Sequence, residues 1–140
     1  TQRSVVRPDE NKWDRRLERW NRIAAEAAKQ CRRAVVPKVA APVSLREALD
    51  VSGNAAAALV LYENEQKKCL KELLKCYNIN KIGDIALFIG PEGGFSKEEI
   101  DEMTGFGVSA AGLGRRILRT ETAAISAVSI IMYEMGEMQS

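Results

Sequence analysis

The segment of this chain best suited to chemistry is Phe88-Ile89-Gly90-Pro91-Glu92-Gly93-Gly94-Phe95-Ser96. Three glycines within five residues let the backbone take positive φ and come close to a ligand, and Pro91 stiffens the turn. The segment leaves an apolar run and enters a helix signature. In open α/β sheets that is where ligands bind, outside the carboxyl ends of the strands. It lacks the Gly-Lys-Ser/Thr of a P-loop and the Gly-x-Gly-x-x-Gly of a dinucleotide fold. Local physics leaves two readings open, a ligand-holding loop and a plain tight turn.

A second segment has the same position between a strand and a helix: Gly112-Leu113-Gly114-Arg115-Arg116-Ile117-Leu118-Arg119-Thr120-Glu121-Thr122-Ala123. Ile117 and Leu118 stand between arginines, so this loop can wall an apolar pocket while aiming cations at phosphate. Thr120 or Thr122 can cap the following helix, and an acid in its first turn suits the helix dipole. Glu121 therefore reads equally as a helix-start residue and as a carboxylate available for chemistry.

Composition narrows what that chemistry can be. The 140 residues contain no histidine, and Cys31, Cys69 and Cys76 form no Cys-x-x-Cys pair. No zinc site is expected from so few ligands, and no other metal is called for. Ser-His-Asp and Cys-His catalysis are excluded. Carboxylates, lysines, tyrosines, arginines or a cofactor must do the work. The cysteines read as reduced thiols of a cytoplasmic protein. No apolar run approaches the ~20 residues of a membrane span, and no secretory leader is visible. The first residue is not Met, which reads as a processed chain or a piece of a longer one. Charge is uneven: residues 1–40 carry 11 Lys/Arg against 5 Asp/Glu, and residues 41–140 carry 10 against 14. A basic first third suits either a polyanionic partner or a solvated helix face.

The elements that position the two loops follow from periodicity. Arg3–Val6 reads as a short strand. From Lys12 to Cys31 apolar or small residues recur at Trp13, Leu17, Trp20, Ile23, Ala24, Ala27, Ala28 and Cys31, which predicts a helix showing arginines outward. Val35–Val39 is a short extended stretch. Ser44-Leu45-Arg46-Glu47 reads as a capping box opening a short helix. The apolar run Ala55–Tyr62, ending in Leu59-Val60-Leu61-Tyr62, and Asp84–Ile89 read as buried strands, with a helix over Glu65–Tyr77 between them. Ser96-Lys97-Glu98-Glu99 is another capping box, starting a helix to about Thr104. Val108–Ala111 reads as a third strand. The last helix runs over Thr122–Met138, with Ile125, Val128, Ile131, Met132 and Met135 on one stripe. Strands alternate with helices and are apolar throughout, which predicts a parallel sheet covered on both faces.

Taken together, Leu87–Ser96 and Gly112–Ala123 closely resemble the RsmE family, the small-subunit ribosomal RNA uridine-N3 methyltransferases of the SPOUT superfamily. Arg3-Ser4-Val5-Val6, the Trp20-Asn21-Arg22-Ile23-Ala24 helix and the Val36-Pro37-x-Val39 segment resemble it too. The resemblance covers nearly the whole chain. It implies an α/β catalytic domain over residues 1–140 with a deep trefoil knot on its carboxyl-terminal side, and a homodimer. It also implies a PUA-like RNA-binding domain ahead of the matched segment, which this sequence does not contain. The cofactor implied is S-adenosylmethionine, held bent by Leu61, Tyr62, Glu63, Ile89, Gly90, Pro91, Glu92, Gly93, Leu113, Gly114, Ile117, Leu118 and Arg119. The substrate implied is 16S ribosomal RNA or the small ribosomal subunit, methylated at uridine N3. Glu121 and Glu92 are then candidate proton acceptors and Arg119 a stabiliser of negative charge on the uracil. Arg115 and Arg116 suit RNA phosphate. Ile125, Val128 and Met132 are candidate interface residues, equally readable as core. Two alternatives keep the fold: a non-catalytic RNA-binding or ribosome-assembly module, and a methyltransferase acting on another RNA position.

Overall fold

The computed structural model describes residues 1, 3, 13–77 and 83–138. The expected strand at Arg3–Val6 lies mostly outside them. Two compact units are present, Val6–Ser44 and a larger one made of Thr1–Val5 with Leu45–Ser140.

In the smaller unit, α1 spans Trp13–Gln30. Arg15, Arg16, Arg19, Arg22 and Lys29 are all exposed, as the helical spacing predicts. The inward face is narrower than expected. Ala28 is buried and Leu17, Asn21 and Ala24 are half-buried, whereas Trp20, Ile23 and Ala27 are exposed. Asn21 clasps the extended stretch that follows the helix. Its amide nitrogen donates to the carbonyl of Val39 and its amide oxygen accepts from the N–H of Val39, both at 2.9 Å. The helix ends in a Schellman turn, with Arg33 N–H donating to Ala28 C=O and Arg32 N–H to Lys29 C=O. Arg32 occupies the left-handed position of that turn, at φ 56°. Glycine is usual there, and a side chain costs roughly 1–2 kcal/mol.

The larger unit is built on a three-stranded parallel sheet in the order β2-β1-β3. Strand β1 is Ala57–Leu61, β2 is Ile85–Phe88 and β3 is Ser109–Ala111. The register pairs Leu59 with Leu87 on one side and with Ser109 on the other. Strand side chains alternate between faces, and each face of β1 meets a different set of helices. Leu59 packs with Leu70 and Leu74 of α3 (Leu70–Cys76) and with Ala127 and Ile131 of α5 (Thr120–Glu134). Val60 packs on the opposite side with Leu49 of α2 (Leu45–Ser52) and with Ile100 and Met103 of α4 (Lys97–Gly105). The expectation of an α/β fold with a parallel sheet covered on both faces therefore holds.

Helix α4 starts where its capping box predicts. Ser96 Oγ accepts from Glu99 N–H at 3.2 Å and the Glu99 carboxylate accepts from Ser96 N–H at 2.9 Å. Such a cap contributes about 1 kcal/mol. Three boundaries differ from expectation. Helix α3 begins at Leu70, not Glu65, because the Glu65 carboxylate accepts from the N–H groups of Lys67 and Lys68 and folds that stretch into a turn. Those two bonds, Lys67 first, hold the Glu65 carboxyl below the usual carboxylate range. Helix α5 begins at Thr120, with Arg119 at its N-cap and no side-chain cap. It ends at Glu134, short of Met138. The expected stripe of α5 is buried only in part: Ile131 is buried and Met135 packs against the core. Ala127 is 0% exposed, while Ile125 is 70% exposed and Val128 is exposed as well.

Candidate functional site

Because β1, β2 and β3 all run parallel, their carboxyl ends lie at one edge of the sheet. The chain leaves that edge three times, after Leu61, after Phe88 and after Ala111. The strand order also reverses here, since β2 and β3 flank β1 on opposite sides. Open α/β sheets bind ligands at such a reversal.

The three exits enclose one cavity of about 590 Å³. Leu61, Tyr62 and Glu63 line it from the first exit, and Ile89, Gly90, Pro91 and Glu92 from the second. Leu113, Gly114, Ile117, Leu118 and Arg119 line it from the third, with Arg115, Arg116 and Glu121 beside them. Of the residues expected at the site, Gly93 alone is absent from its lining. It faces Arg3 instead, whose guanidinium Nη1 donates to the Gly93 carbonyl at 3.2 Å. Gly94, Phe95, Ala111, Gly112, Thr120 and Ala123 also line the cavity, although none of them is among the residues individually expected to hold the cofactor. Gly94, Phe95 and Gly112 sit inside the two loops and were within reach of sequence reasoning. Ala111 and Ala123 carry no chemical signal, and only their position shows their part.

Local packing shapes the wall. Gly94 sits at φ 67° and closes a turn by donating to the Pro91 carbonyl at 2.8 Å. A Cβ there would come within 3.2 Å of the Glu63 carboxylate, so glycine at this position also makes room for that acid. Phe95 is buried under the loop, in the core shared with Val60, Ile100 and Met103. The loop is thus pinned at its carboxyl end by one aromatic ring and the α4 cap. On the other side Gly112 is gripped by the stretch before α3. Its N–H donates to the Lys68 carbonyl at 2.9 Å, and its carbonyl accepts from Leu70 N–H at 3.0 Å. A Cβ at Gly112 would collide with the Glu65 backbone carbonyl.

The cavity combines apolar walls with exposed charge. Ile117 is 81% exposed, so the third loop presents an aliphatic side chain outward where a bound ligand would cover it. Arg115, Arg116 and Arg119 are exposed, as are Glu63, Glu92 and Glu121. Such a site can hold a partly apolar ligand against its walls, leaving cations and carboxylates at the rim for a second, anionic reactant. Among the described residues no group of three His, Cys, Asp or Glu is arranged to hold a metal ion. No described helix is long and apolar enough to cross a membrane.

The profile of the RNA methyltransferase domain matches residues 1–132. The chain belongs to that family. Within the RNA methyltransferase domain family it is 36% identical over 134 residues to ribosomal RNA small subunit methyltransferase E of Bacillus subtilis, covering 94% of this chain and 52% of that protein. It is 37% identical to the protein of the same name from Synechocystis, covering 94% and 42%. Two solved methyltransferases with S-adenosylmethionine bound share its fold. One is a putative methyltransferase from Legionella pneumophila, with TM-score 0.83, 36% identity and coverage of 95% and 52%. The other is ribosomal RNA small subunit methyltransferase E from Neisseria gonorrhoeae, with TM-score 0.77, 34% identity and coverage of 95% and 52%. The chain therefore spans about half the length of these relatives. The resemblance to the RsmE family drawn from the two loops holds.

Proposed function

We propose that residues 1–140 are the catalytic domain of an enzyme that methylates uridine at N3 in small-subunit (16S) ribosomal RNA, with S-adenosylmethionine in the cavity. One observation carries this reading: three loops distant in sequence wall a single space of about 590 Å³. That volume lies within the roughly 300–1,000 Å³ of small-molecule sites. The residues fit the group. Leu61, Ile89, Pro91, Leu113 and Leu118 offer apolar wall, and Gly90, Gly94 and Gly114 put no side chain between the loop backbone and that space. Leu61–Glu63, Ile89–Glu92 and Leu113–Arg119 are the segments that would hold it. When bound, S-adenosylmethionine supplies an electrophilic methyl on a sulfonium.

The protein's own residues supply the rest. Uridine N3 carries a weakly acidic proton that must leave for the nitrogen to act as a nucleophile. Glu121 and Glu92, both on the cavity wall, are the groups assigned to accept it. The Arg119 guanidinium stabilises negative charge on the uracil oxygens as the proton departs. Arg115 and Arg116 at the rim contact phosphate, which positions RNA without reading it. Titration calorimetry with S-adenosylhomocysteine is expected to show one saturable site per chain. In single-turnover methylation of small-subunit RNA, Arg119→Ala and Glu121→Gln are each expected to slow the reaction by about 10²–10⁴-fold. Nucleoside mass spectrometry should find 3-methyluridine. Absent calorimetric binding removes the cofactor reading, and a ribose-methylated product removes the N3 assignment.

The same reading carries a cytoplasmic setting, a homodimer and a deep trefoil knot in the carboxyl-terminal part. The dimer is supported by α5, whose Ile125, Val128 and Tyr133 are exposed. An apolar groove lined by Leu70, Leu113, Ile130 and Tyr133 lies alongside, and exposed apolar surface of this kind marks an association face. Sedimentation velocity is expected to give the mass of two chains, with Val128→Arg returning it to one. A monomer at all concentrations would remove the dimer. An experimentally traced chain tests the knot.

A further inference from the structure

We infer that the arginine stripe of α1, continued beyond the helix end by Arg32, is a docking surface for the phosphate backbone of RNA. It rests on the reading of an RNA substrate, and none of its residues lines the cavity. Arg15, Arg19 and Arg22 recur at the i, i+4, i+7 spacing that aligns them on one helix face. At 1.5 Å per residue they occupy about 10 Å of helix axis. Glu26 and Lys29 continue the same line but pair with each other at 3.4 Å, so the acid in the row is already neutralised. Among the described residues no salt bridge engages Arg15, Arg19 or Arg22. Glu18 stands four residues before Arg22 without pairing to it, and Asp14 is likewise unpaired with the stripe. Residues 13–38 carry eight Lys/Arg against three Asp/Glu.

A stripe that served only to solubilise the helix would gain from alternating signs, because like charges four residues apart repel. Arg15 and Arg19 do the reverse. Arg32 provides an independent observation. It holds a left-handed backbone, φ 56°, at the turn position where glycine is free of strain. The chain keeps a cation there against that strain, next to Lys29 and Arg33. RNA fits this surface better than an acidic protein does. The row from Arg15 to Lys29 is charged at every position, with the exposed Trp20 and Ile23 beside it and not in it, whereas protein interfaces centre on aromatic and aliphatic anchors with charge at the rim. A nucleic-acid backbone presents a regular row of phosphates, and arginine forks match them.

The test uses the 140-residue chain, a short fluorescein-labelled RNA hairpin and anisotropy over a salt series, with polyglutamate as competitor. Arg15→Gln, Arg19→Gln and Arg22→Gln combined are expected to weaken binding at least about tenfold near 0.1 M salt and to lower the log–log salt slope by about two. Arg32→Gly is expected to weaken binding several-fold while its melting temperature holds or rises. If Arg32 instead served the helix dipole, Arg32→Gly would melt lower and bind RNA as before, which would overturn its part. Unchanged affinity and slope in the triple variant overturn the stripe while leaving the RNA reading intact. A wild-type chain that ignores RNA overturns the docking surface, and the S-adenosylhomocysteine titration and methylation assay then judge the catalytic reading separately. Polyglutamate bound as tightly as RNA, and lost in the same variant, replaces RNA by an acidic protein.

Discussion

Gly112→Ala is expected to destabilise the larger unit by about 1–3 kcal/mol, the usual cost of forcing a group into filled space, and to weaken S-adenosylhomocysteine binding by at least about tenfold. The added Cβ would meet a backbone carbonyl, that of Glu65, and not the movable end of a side chain. Relief requires moving either β3's exit or the turn before α3. Both are tied down: Gly112 bonds Lys68 and Leu70 through its N–H and carbonyl, and Glu65 is itself bound to Lys67 and Lys68. Whichever side yields, the third cavity loop starts from a displaced point. Gly105→Ala is the control. Gly105 ends α4 with nothing within 4 Å of a built Cβ, so this change is expected to be neutral or to stabilise by up to about 1 kcal/mol. Thermal melts and calorimetry on both variants read the difference. Wild-type stability and affinity in Gly112→Ala would refute the proposed grip between the two segments.

Leu59→Ala should lower stability by about 2–5 kcal/mol. Leu59 is 0% exposed in the central strand and packs against residues of both α3 and α5. Truncation leaves a void between a sheet and two helices, none of which can close it alone. Set against a total of about 5–15 kcal/mol for a domain, the loss should bring the melting temperature down by roughly 10 °C. Val51→Ala, at an exposed site on α2, should change stability by less than about 0.5 kcal/mol. Equal melting temperatures for the two variants would show that Leu59 is not at the centre of the core.

How much of this was legible in the chain depends on the range of the interaction behind each feature. The α4 cap was legible because Ser96 and Glu99 satisfy each other across three residues. The strands were legible because Leu59–Leu61 and Ile85–Phe88 are unbroken apolar runs, as a sheet covered on both faces demands. The two loops were legible as candidate ligand segments, with a plain tight turn left open for the first, because glycine-rich stretches there follow apolar runs, and both line one cavity. The start of α3 was not legible. The stretch from Glu65 to Lys68 has helical periodicity, but the Glu65 carboxylate folds it into a turn and the Lys68 carbonyl is committed to Gly112, over forty residues away. The buried line of α5 was legible in part: Ile131 lies on the expected stripe, whereas Ala127 does not. That helix is apolar around much of its circumference, so periodicity sets its face loosely, and packing against α3 selects Ala127 together with Ile131.

The sequence by itself determined the kinds of elements, their order and the two segments able to hold a ligand, because helix caps, strand hydrophobicity and glycine turns act over a few residues. Only the tertiary structure decided that β1 lies between β2 and β3, that three strand exits share one cavity, and that Gly93 turns toward Arg3 instead of into it. Those outcomes depend on which distant backbone groups and side chains pair once burial has brought them together, and no local pattern of residue types records that choice.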